Sequence, residues 1–120
     1  MTPYTEAELL ADSAAYFAEL KDSGRSGATH PRVCHHFFPL DGAPENAYLP
    51  ALPNALAEID PDALIEVIGD PVGVEMWQLR EPDEARITDQ IRKFHSAAVS
   101  CAAVYGGWSY EPKRLETSGG

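Results

Sequence analysis

The side chains with chemistry to offer are few: Cys34, His35 and His36 stand in a row, His30 comes just before them, and His95 and Cys101 lie far downstream. Thiolate and imidazole are zinc ligands, and a thiolate beside an imidazolium is a nucleophile. Both chemistries need groups that converge. Neither cysteine has a partner at zinc-site spacing. Neighbours along a strand point to opposite faces, so of the trio only Cys34 and His36 can share an ion, with His30 or His95 as the remaining possible ligands. Cys101 falls in an apolar helical stripe, where a thiol behaves as a small hydrophobe. Nucleophile, base and oxyanion donors cannot all be assigned. The sequence therefore predicts packed, hydrogen-bonded histidines, with no catalytic residue, no metal and no cofactor.

The elements that must position these residues follow from periodicity. Thr5-Glu6-Ala7-Glu8 has the form of a capping box, and Leu9, Leu10, Ser13, Phe17 and Leu20 recur at three- and four-residue steps, predicting a helix stopped at Gly24. Arg32 to Phe38, between Pro31 and Pro39, is β-branched and aromatic and predicts a strand. Its alternation places Val33, His35 and Phe37 on one face and Cys34, His36 and Phe38 on the other. Both faces are largely apolar, which argues for a central strand. Pro50 and Pro53 interrupt the next helical pattern, so a helix is expected from Leu52 to Ile59 after an irregular entry at Tyr48 to Ala51, a kinked continuous helix being the alternative. Ala63–Ile68 and Val74–Arg80 flank Gly69-Asp70-Pro71-Val72-Gly73 and predict a hairpin with a five-residue loop. Asp83 and Glu84 then open a helix with a stripe of Ile87, Ile91, Phe94, Ala98, Cys101 and Ala102. Val104 to Pro112 reads as the last strand, its Gly106-Gly107 pair marking a bulge or a close backbone approach.

Without the first helix, this order is β-α-β-β-α-β, the ferredoxin-like α+β arrangement: a four-stranded antiparallel sheet with helices on one face. The last strand should then be an edge lying beside Cys34-His35-His36. Residues 1–112 read as a single domain, and 113–120 as a polar, disordered tail. Nineteen acidic against nine basic residues, with a formal charge of -10, make a surface that repels phosphate backbones and attracts basic ones. Direct nucleic-acid binding is not expected. With no basic-then-apolar leader and no apolar run near the ~20 residues of a membrane span, the expectation is a cytoplasmic protein without membrane contact.

The His35-His36 pair on an early strand, the acidic character, the layout of elements and the closing Tyr105-x-Gly107-Trp108 together resemble the RraB family of ribonuclease E regulators. The likeness runs from about Leu9 to Pro112. Gly106 departs from the family, standing where Asp is usual. The resemblance implies a small acidic protein that binds ribonuclease E and lowers its activity without doing chemistry itself. An acidic body suits a basic, RNA-binding partner. On this reading Tyr105, Gly107, Trp108, Tyr110, His35 and His36 are the candidate partner-binding residues. For Trp108, core packing competes with a role as interface anchor; Trp77 is expected in the core. The alternative function is a small-molecule- or metal-binding domain built on the His35/His36 strand. An uncovered apolar face of the first strand must be hidden somehow, either by a homodimer through the sheet face that the helices leave open, with Val33 and Phe37 or Cys34 and Phe38 in contact, or by the N-terminal helix, and the sequence leaves that choice open.

Overall fold

The computed structural model describes residues 4–23, 31–40, 49–69 and 72–111. Its elements are α1 (Glu6–Ser23), β1 (Val33–Pro39), α2 (Ala51–Ile59), β2 (Leu64–Gly69), β3 (Val72–Gln78), α3 (Glu84–Ser100) and β4 (Ala103–Tyr110). The strands form one antiparallel sheet in the order β2-β3-β1-β4, so β1 is central and β4 is an edge beside it. This is the α+β, ferredoxin-like arrangement that the element order predicts, with an added N-terminal helix.

α1 and α3 begin at side-chain caps, whereas α2 begins without one. The Thr5 backbone N–H donates to Glu8 Oε1 at 3.0 Å, and the Glu8 N–H donates to Thr5 Oγ1 at 3.1 Å, closing the capping box reciprocally. These bonds hold the Glu8 carboxyl below its ordinary value, the backbone donor first and the side-chain bond second. Asp83 caps α3 by accepting from the Arg86 N–H at 2.8 Å. Pro53 sits in the first turn of α2, where a backbone N–H has no acceptor within the helix, so it costs little there. Gly24, Tyr48 and the tail from 113 to 120, which the sequence reads as a helix stop, an irregular entry and a disordered end, lie outside the described residues.

The strands lie one or two residues from their expected bounds, and Ala51 belongs to α2 instead of the irregular entry; two of the differences have a clear local cause. Pairing of β2 with β3 continues to Gly69↔Val72, so Gly69, Val72 and Gly73 of the expected five-residue loop belong to the ladder; Asp70 and Pro71 lie outside the described residues. Extra ladder bonds outweigh the turn propensity of the two glycines. Ala102 has left the α3 stripe: at φ 53° it forms the turn into β4, which the Cys101 N–H helps close by bonding back to Ala97 and Ala98.

The helices cover one face of the sheet. Val33, His35 and Phe37 of β1, Val74, Met76 and Gln78 of β3, and Tyr105 and Tyr110 of β4 point into this core, where they meet Ile87, Ile91, Phe94 and Ala98 of α3 and Leu52 and Leu56 of α2. Full burial of a side chain such as Leu, Ile or Phe stabilises by about 1.5–3 kcal/mol. Phe94 packs edge-on against both Phe37 and Tyr105, with centroids 5.9 and 5.7 Å away. α1 closes the β4 end: Leu9, Ser13, Phe17 and Leu20 are buried, and Tyr16 and Phe17 hold the Trp108 ring at centroid distances of 4.8 and 4.9 Å.

The glycine pair of β4 serves two different needs. Register against β1 slips between His35↔Trp108 and Phe37↔Tyr105, and Gly107 takes φ +98° at this bulge. Gly106 lies under the Phe38 ring, where a Cβ would come within 2.8 Å of Phe38 Cε2. A side chain at this position would have to displace the end of the Phe38 ring.

Candidate functional site

Alternation along β1 splits the Cys34-His35-His36 trio between two environments. His35 is fully buried on the helix side, where both ring nitrogens are engaged: Nδ1 with the Tyr105 hydroxyl at 2.8 Å and Nε2 with Gln78 Oε1 at 2.9 Å. The Gln78 amide nitrogen donates to Asp60 Oδ2 at 2.9 Å and Gln90 Oε1 at 2.8 Å, and Asp60 is also paired with Arg80. This chain of donors fixes the tautomer. Gln78 Oε1 can only accept, so His35 Nε2 carries the proton and Nδ1 accepts from Tyr105. Burial drives the His35 pKa down to about 4, against a smaller opposing effect from the Gln78 bond, so the ring is neutral at pH 7. Among the described residues no buried side-chain polar atom along this path lacks a partner, and the arrangement braces the core.

The proposed partner-binding residues are thereby dispersed. Tyr105 and Tyr110 are 1% and 2% exposed, and His35 is sealed. Trp108 shares the helix-side face with His35 and donates from Nε1 to Ser13 Oγ at 3.0 Å. Its indole and the Tyr110 N–H, which donates to the Tyr16 hydroxyl at 2.8 Å, fasten α1 to β4. Gly107 makes the bulge. Only His36 of the six reaches the opposite face, with 30% of its side chain accessible. β4 does lie beside the histidine pair as expected, but the indole and the two histidines do not make one surface.

The helix-free face holds a different constellation. Register places Leu64 and Glu66 of β2, Glu75 and Trp77 of β3, Cys34, His36 and Phe38 of β1, and Ser109 of β4 on this side. Trp77 is a correction to the sequence expectation: it is only half-buried, outside the helix-covered core, with the Arg32 guanidinium 4.7 Å above its ring. Arg32 is tied down by donating from Nε to the Glu111 carbonyl at 3.0 Å. Leu64 is 54% exposed beside Trp77.

In the middle of this face Cys34 Sγ lies 3.9 Å from His36 Nδ1 and 3.9 Å from Glu75 Oε2, and Nδ1 lies 3.7 Å from Oε2. Glu75, a third member that sequence spacing could not supply, comes from the neighbouring strand because His36 pairs with it across the ladder. The available signal was a lone acid in the apolar run Val72-Gly73-Val74-Glu75-Met76-Trp77. His95 is not part of this group; it sits on α3 and bonds the Tyr4 carbonyl at 3.1 Å. His30 lies outside the described residues. Burial, followed by the nearby carboxylates of Glu75 and Glu111, pushes the Cys34 thiol well above its ordinary pKa. An activated nucleophile has the opposite shift. Cys101, also buried, ends the apolar stripe of α3.

Among the described residues no helix is long and apolar enough to cross a membrane. In comparisons with known sequences, no protein-family model and no curated protein matches this chain.

Proposed function

We propose that this chain is a small acidic regulator that binds a protein partner and performs no bond-making chemistry, acting in the manner of the ribonuclease E inhibitors it resembles. The observation that carries this reading is the helix-free sheet face, which combines a half-buried tryptophan under an arginine, an exposed leucine and the acids Glu66, Glu75 and Glu111. Aromatic and arginine side chains dominate protein interfaces, and a surrounding excess of negative charge favours a basic partner. The formal charge of -10 extends that attraction over the molecule. The raised thiol of Cys34 and the burial of Cys101 support the absence of nucleophilic catalysis.

The test is to mix purified chain with ribonuclease E and measure both association and RNA cleavage. Binding should fall by about tenfold or more in Trp77→Ala, as for an interface hot spot, and should weaken with added salt. No association at micromolar concentration would remove ribonuclease E as the partner. Association unaffected by Trp77→Ala and Leu64→Glu would place the contact elsewhere. The alternative, ligand binding along the same strand, survives only on the outer side at His36, because His35 has both nitrogens engaged in the core.

A further inference from the structure

Cys34, His36 and Glu75 offer sulfur, nitrogen and oxygen at the corners of a nearly equilateral triangle, with sides of 3.9, 3.9 and 3.7 Å. An ion at its centre would lie about 2.2 Å from each atom, and zinc bonds these atoms at about 2.0–2.3 Å. A tetrahedral zinc needs ligand separations of about 3.4–3.6 Å, so a contraction of a few tenths of an ångström also completes that geometry. We propose that these three side chains form a zinc site with its fourth position open to solvent. The donor set suits zinc, since a thiolate with an imidazole and a carboxylate is borderline-soft.

Beyond spacing, the protons point to a cation. His36 Nε2 lies 3.1 Å from Ser109 Oγ, and Ser109 Oγ lies 2.7 Å from Glu111 Oε2. The carboxylate can only accept, so the hydroxyl donates to it and must itself accept from Nε2–H. In the neutral ring this leaves Nδ1 an acceptor 3.7 Å from Glu75 Oε2, also an acceptor. The Cys34 thiol has one proton to place between them. A metal ion satisfies all three donors at once. The His36-Ser109-Glu111 relay is the outer support that metal-bound histidines typically have, fixing the tautomer and the ring plane. Access is available too: Cys34 is fully buried at the floor, whereas His36 and Glu75 are 30% and 25% exposed at the mouth.

Cobalt(II) is the probe, titrated into the metal-stripped full chain and then displaced by zinc. The expected result is one equivalent bound with a thiolate-to-cobalt charge-transfer band in the near ultraviolet, bleached by zinc. Cys34→Ser should abolish the band and Cys101→Ser should leave it intact. Glu75→Gln should weaken zinc binding about tenfold or more, and Ser109→Ala, which acts only through the His36 ring, should weaken it by about 10–100-fold. Absence of a thiolate band, its survival in Cys34→Ser, or unchanged affinity in both Glu75→Gln and Ser109→Ala would overturn the proposal. If Cys34→Ser does not fold, the Glu75 and Ser109 variants, at half-exposed positions, decide it. None of these readouts involves the nuclease, so the site stands or falls separately from the regulator reading.

Discussion

At the scale of single residues, His35 and His36 show how one step along a strand changes what the same side chain can do. His35 is a core residue whose neutral ring is locked between Tyr105 and Gln78. Its folded pKa of about 4 lies below the ordinary 6.5, so between those values the unfolded chain holds a proton that the folded chain refuses. His35 thus favours the folded state fully above pH 6.5, and that contribution is lost as the pH falls from 6.5 to about 4. The loss is on the order of 3 kcal/mol, set by burial against the groups that face the ring. Histidine NMR at pH 5 should find this ring neutral with its proton on Nε2; titration near 6.5 would show the burial to be breached. The neighbouring residues Cys34 and His36 were visible in the sequence as possible co-ligands because they share a face. Glu75 was not, because its place beside them is set by register with a strand that joins the chain 41 positions from Cys34.

Among the elements, α1 and β4 depend on each other. α1 was legible from its capping box and its stripe, both local features, and the last strand from its aromatics. That they are fastened through Trp108, Ser13 and Tyr16 is a matter of packing, so β4 is an anchor for a helix. Its two glycines should respond differently to alanine. Gly107→Ala forces a Cβ onto φ +98° and is expected to cost about 1–3 kcal/mol. Gly106→Ala meets the end of the Phe38 ring, which can swing aside, and should cost less. Urea unfolding of the two variants gives the order directly, and the reverse order would mean that the Phe38 ring is held more rigidly than the bulge.

For the molecule as a whole, the asymmetry between a helix-covered face and an open one meets a strong negative charge. Two copies meeting through the open face would each bring a charge of -10. At ~0.01 M salt the Debye length is about 30 Å, so this repulsion acts across the whole interface. Sedimentation at that ionic strength should therefore find monomers, and a dimer there would make self-association the use of this face. The sequence by itself determined the element types, the capped start of α1, the central place of β1 and the ferredoxin-like order, because periodicity, caps and strand alternation are properties of neighbouring residues. Only the tertiary structure decided which side of β1 the helices cover, that Trp77 and not Trp108 looks outward, and that Glu75 completes a set with Cys34 and His36. Those outcomes depend on cross-strand register and on competition for the core, which couple positions far apart in the chain.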